Sequence, residues 1–173
     1  MEEKKRKFLT QLEKFFKDDE DVEEVSLFTK EELGTPMDVL RALLTGYGPG
    51  MIDVLAEFSF LPIEGADEVW YFNTVITIMT NVPKDGASAL AGAISRLNFY
   101  LPYGGFCLSP DGTMLTYKSV TALRTDHPEK KLYEDIELSA DTALLVPENY
   151  TYLLIKVAEG SMLLSEFIDT LPE

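Results

Sequence analysis

After Gly50 the apolar period of the chain changes from that of a helix to that of a strand. Ile52, Val54, Ala56, Phe58 and Phe60 alternate with Asp53, Leu55, Glu57, Ser59 and Leu61, so one side of an extended segment is strongly apolar. Residues 62–67 read as a turn. A second run over 68–81 sets Val69, Tyr71, Asn73, Val75, Thr77 and Met79 against Trp70, Phe72, Thr74, Ile76 and Ile78. Both of its sides are rich in β-branched and aromatic residues, which predicts a central strand covered on both faces. Two long neighbouring strands of this kind constrain the chain to a sheet that needs a helical layer to bury its apolar side.

The rest of the chain supplies that layer. Phe8, Leu9, Leu12, Phe15 and Phe16 form one stripe of a helix over 3–17. Thr35-Pro36 reads as a helix start, with Met37, Leu40, Leu43 and Leu44 on one face and Gly46 as its end. Gly48-Pro49-Gly50 then forbids continuation. Ala87, Leu90, Ala91, Ile94 and Leu97 give another helix, whose small residues permit a close approach to a sheet. Gly105–Leu108 and Thr113–Tyr117 flank Ser109-Pro110-Asp111-Gly112, a type I turn sequence, and predict an antiparallel hairpin. Leu132–Leu138 reads as an edge strand or a helical turn, the strand being preferred. From Glu148 the spacing of Tyr150, Leu153, Leu154, Val157, Leu164, Ile168 and Leu171 predicts a final helix. The expected fold class is α+β, an antiparallel sheet with helices packed on it. It forms a single domain over 1–173, with 1–34 as a helical and acidic N-terminal extension.

Residues 94–117 carry a more particular pattern. Ile94-Ser95-Arg96-Leu97-Asn98, then Leu101-Pro102-Tyr103-Gly104-Gly105-Phe106, then Leu108-Ser109-Pro110-Asp111-Gly112 and Leu115-Thr116-Tyr117 resemble the bacterial YbjN-like sensory transduction regulators. The order of elements is similar over about 36–123. The resemblance implies the type III secretion chaperone-like fold and a dimeric protein that binds other polypeptides, with no catalytic residues to carry over.

Composition narrows the function further. The 173 residues hold 15 Lys and Arg against 30 Asp and Glu, a net charge of −15. Nucleic-acid binding depends on cations that displace counterions from phosphates, so it is not expected. The acidic run Asp18–Glu24 reads either as a solvated connector or as a docking site for a basic partner. The N-terminal residues Met1–Phe8 lack the apolar core of a signal peptide. The most apolar run, Val69–Met79, is interrupted by Asn73, Thr74 and Thr77 and falls short of the ~20 residues that span a bilayer. A cytoplasmic location without membrane contact is expected. One cysteine, Cys107, excludes an internal disulfide.

No catalytic set emerges. His127, the single histidine, sits in the polar run Thr125–Lys131 and reads as a surface residue. Cys107 has no cationic neighbour in sequence to activate it. His and Cys ligands are too few for zinc, and Asp18–Glu24 lacks the spacing of a calcium loop. Gly46-Tyr47-Gly48-Pro49-Gly50 follows a predicted helix, whereas a phosphate loop opens one, and Pro49 removes a backbone donor. No catalytic residue, metal site or cofactor is therefore expected. Tyr100, Tyr103 and Phe106 flank a Gly-Gly step and are the candidate partner-binding residues, with core capping as their other reading. The expected function is non-enzymatic protein binding, chaperone- or regulator-like, by a homodimer. The alternatives are a small-ligand or carboxylate-dependent enzyme domain, and an acidic inhibitor of the immunity type.

Overall fold

The computed structural model describes residues 2–66 and 68–172. Of the turn expected at 62–67, Asp67 lies outside the described residues. The first helix, α1 (Glu2–Lys17), buries Phe8, Leu9, Leu12 and Phe16. Glu2 and Glu3 in its first turn and Lys14 and Lys17 in its last complement the helix dipole. Strand β1 (Val22–Phe28) and the short helix α2 (Lys30–Leu33) follow. Thr29 caps α2: its N–H donates to Glu32 Oε2 at 2.8 Å, and the Glu32 N–H donates to Thr29 Oγ1 at 3.3 Å.

The next segment corrects the sequence reading. Met37–Leu44 is not a helix; Val39–Tyr47 is strand β2. Leu40, Ala42 and Leu44 alternate inward, while Leu43 pairs with Leu55 on the opposite face. An apolar residue at nearly every position satisfies both periods, and pairing on two sides decides for the strand. The glycine-rich loop 46–50 therefore joins two strands and does not terminate a helix. Strands β3 (Ile52–Leu61) and β4 (Val69–Met79) lie where the alternation puts them.

Helix α3 (Ala87–Leu97) leads to β5 (Gly105–Leu108) and β6 (Leu115–Arg124), the expected hairpin. At its turn the Gly112 N–H donates to the Ser109 carbonyl at 2.8 Å. Leu132–Leu138 is not an edge strand but the start of helix α4 (Glu129–Ala158), which runs 30 residues with Pro147 inside it. The expected final helix ends early. Gly160, at φ +73°, breaks it, and α5 (Leu164–Ile168) is separate.

The six strands form one antiparallel sheet in the order β1-β2-β3-β4-β6-β5. Helix α1 covers β1–β3, α4 covers β4 and β6, and α3 packs on α4 and α5. The Phe16 ring stacks on Phe58 at 5.1 Å between centroids, and Phe58 on Phe72 at 6.1 Å. Phe8 meets Trp70 edge-on at 6.1 Å and stacks on Tyr133 of α4. The architecture is α+β with helices on an antiparallel sheet. Strand β4 is central as expected, but helices cover its Trp70–Ile78 side alone. Its other side, from Val69 to Met79, is half-buried. At the sheet margins, β1 carries Glu23 and Glu24 at a register shift, and β5 has four residues. No helix among the described residues is long and apolar enough to cross a membrane.

The sequence pattern at 94–117 has a structural cause. Past the end of α3, the Asn98 side chain pairs with the backbone of Phe106 in both directions. Its Nδ2 donates to the Phe106 carbonyl at 2.9 Å, and the Phe106 N–H donates to Oδ1 at 2.8 Å. Gly104 sits at φ +64°, and a Cβ there would lie 2.3 Å from the Tyr117 hydroxyl. Asn98→Ala is expected to cost about 2 kcal/mol, because two backbone groups of β5 lose their partner. Urea unfolding measures this, and a loss below about 0.5 kcal/mol would show that water replaces the amide.

Candidate functional site

A surface groove forms where three separate segments meet. The end of β2 and its loop supply Leu44, Thr45, Gly46, Tyr47 and Gly48; the α1–β1 turn supplies Asp19 and Asp21; α4 supplies Asp141, Leu144, Leu145 and Glu148. The Thr45 N–H donates to the Asp21 carbonyl at 3.1 Å, which pins the acidic turn to β2. The groove has a volume of about 340 Å³, at the lower end of ligand-sized pockets (roughly 300–1,000 Å³).

Tyr47 anchors the floor. It is 9% exposed, and its hydroxyl donates to the Leu144 carbonyl of α4. Burial, with Glu148 and Tyr117 nearby, raises its pKa above the usual phenol range. Pro147 has no N–H, so the Ala143 carbonyl loses its usual helical donor one residue away. The floor is thus apolar and fixed to α4, while Leu145 stands on the rim at 66% exposure.

The walls are acidic. Asp19, Asp21, Asp141 and Glu148 make no ion pair with any cation among the described residues. Partial desolvation, then Glu137 and Asp19, hold the Asp141 carboxyl above the ordinary aspartate range. Like charges facing one another over an apolar floor favour a cation at this place.

The sequence candidates lie outside this groove. Phe106 is 1% exposed and packs edge-on against Tyr117, so its side chain belongs to the core and its assignment to a partner surface is corrected. Tyr103 is half-buried, with its hydroxyl bonded to Thr121. Tyr100 is exposed and pairs with Phe99, which the sequence reading passed over and which is 83% exposed. His127 Nδ1 lies 3.7 Å from Asp135 Oδ2. Cys107 is half-buried, its Sγ 3.8 Å from the Gly105 carbonyl. No group of three or more His, Cys, Asp or Glu side chains among the described residues is placed to hold a metal ion.

A second feature is broad and flat. The face of the sheet turned away from the helices carries Leu43, Leu55 and Val75 in its middle strands and Val120 on β6, the last 48% exposed. Cross-strand register sets Leu43 beside Leu55, Val75 beside Lys118, and Asn73 beside Val120. No family model matches the chain, and no curated protein matches it.

Proposed function

We propose that the chain is a non-enzymatic protein-binding module of the cytoplasm, chaperone- or regulator-like and related to the YbjN-like regulators. The observation that carries this is the groove at Tyr47: an apolar floor and rim framed by four carboxylates without cationic partners. An apolar anchor would seat on Leu44, Leu144 and Leu145, and flanking Lys or Arg would meet Asp19, Asp21, Asp141 and Glu148. The client is thus a basic segment with apolar anchors, and the acidic turn at 18–21 acts as a docking wall.

A fluorescent peptide with two leucines flanked by lysines tests this, with a glutamate-flanked peptide as its control. The lysine peptide is expected to bind and to weaken as salt rises, because exposed charges are screened. Asp141→Asn with Glu148→Gln is expected to weaken it about fivefold or more, at roughly 0.5–1 kcal/mol per partly exposed pair. Equal binding of both peptides, or no effect of the double variant, would refute the reading.

The carboxylate-dependent alternative draws on the same Asp141, whose raised pKa suits proton transfer. Leu145→Ala separates the two, since it removes an exposed apolar anchor and leaves every carboxyl in place. The inhibitor-type alternative differs in its partner, an intact basic protein in place of an extended segment.

A further inference from the structure

The geometry points to a basic amphipathic helix as the client, laid along the outer side of α4 and seated in the groove at its middle. This deepens the groove reading and rests on it. Along its solvent side α4 carries Glu134, Leu138, Asp141, Leu145, Glu148 and Tyr152. Leu138 is 65% exposed, Leu145 66% and Tyr152 36%. These three recur every seven residues, so they form one seam about 21 Å long on a single side of the helix. A solvent-facing side needs only polar residues, whereas an apolar repeat of seven is the pattern that meets a second helix. Pro147 and Ala143, between which the helical bond is missing, are both buried, so the seam passes that interruption on the opposite side.

Charge selects the occupant. Glu134, Asp141 and Glu148 repeat at the same interval, between the apolar positions. Lys130 lies 3.8 Å from Glu134, while Asp141 and Glu148 pair with no cation among the described residues. Asp19 and Asp21 add to them from across the groove. From Leu138 to Ile155 α4 holds no basic residue. Lys156 then closes the acidic stretch, its Nζ 4.9 Å from the centre of the Tyr152 ring. The partner helix therefore presents apolar residues every seven positions, with Lys or Arg between them over Asp141 and Glu148. A second copy of α4 would set carboxylates against carboxylates. A strand-like client would fill the groove with one anchor and leave Leu138 bare.

The full chain is titrated into two fluorescent peptides of identical composition. In one, leucines stand every seven residues with lysines between them; in the other, leucines and lysines alternate at the spacing of a strand. The heptad peptide is expected to bind at least tenfold tighter and to gain helical circular dichroism in the complex. Leu138→Ala is expected to weaken it about fivefold and Leu138→Lys at least tenfold, because a largely exposed leucine is covered on binding. Leu138 does not line the groove, so the shorter two-leucine lysine peptide is expected to bind Leu138→Ala as it binds the parent chain. Equal affinity for the two composition-matched peptides overturns the proposal, as does a Leu138→Ala chain that binds the heptad peptide unchanged. Either result leaves the groove reading standing if Leu145→Ala still weakens the two-leucine peptide. Failure of every lysine peptide to bind removes both. A chain that dimerises alone in sedimentation velocity, and that Leu138→Lys returns to a monomer, also overturns the proposal, since a second copy then covers the seam.

Discussion

Truncation of Phe58 to alanine is expected to lower the unfolding free energy by about 3–5 kcal/mol and the melting temperature by about 10 °C. Phe58 is fully buried between Phe16 of α1 and Phe72 of β4. It is the middle ring of the stack that ties the first helix to the sheet. A domain of this size is stable by roughly 5–15 kcal/mol, so the loss is a large fraction of the whole. The residual cavity sets where in the range the value falls, since neighbours on a paired strand collapse poorly. Leu138→Ala is the control. That side chain is 65% exposed on α4, and its removal is expected to stay within about 0.5 kcal/mol. Urea unfolding of both variants measures the difference. A loss below about 1 kcal/mol at Phe58 would mean that α1 is not seated as described.

Gly86→Ala is expected to be comparably damaging, for a different reason. A Cβ at Gly86 would lie 1.8 Å from the Ala158 carbonyl oxygen and 2.7 Å from its carbon. Both are backbone atoms at the end of α4, and neither can rotate away. Gly86 is the N-cap of α3, a position where glycine is already preferred to alanine. The clash adds to that preference, and the start of α3 must move off α4. The expected cost is about 3 kcal/mol, at the upper end of overpacking effects. Gly160→Ala marks the contrast: nothing lies within 4 Å of a Cβ there, and the strain comes from φ +73° alone. Melting curves of the two variants separate steric from conformational cost. A neutral Gly86→Ala would show that the α3–α4 contact is looser than drawn.

The strands legible in the sequence were those with a clean two-residue period, β3 and β4, together with the hairpin of β5 and β6. Their turns carried Gly and Pro at positions where backbone geometry demands them. Strand β2 was not legible, because Met37, Leu40, Leu43 and Leu44 fit a helical stripe as well as Leu40, Ala42 and Leu44 fit a ladder with neighbours on both edges. Helix α4 was hidden by its own interruption. Leu132, Ile136, Ala140 and Ala143 are buried at helical spacing, yet Pro147 reads locally as a boundary. Burial of that face offsets the lost backbone bond, a balance that only the packed structure reveals. The acidic run was visible as a possible docking site, but its groove was not. Tyr47 and Leu144, which join across the floor, are 97 residues apart. Among the aromatic candidates Phe106 was misplaced because it alternates inward with Tyr117, and a four-residue strand is too short to announce its facing.

The margins of the sheet limit how copies of this chain can accumulate. Two adjacent glutamates and a slipped register at one rim, and a stub of four residues at the other, deny an incoming backbone a straight template. Growth by adding rungs to the ladder has nowhere to begin, so an acidic protein with this much apolar sheet is guarded against fibrous polymerisation.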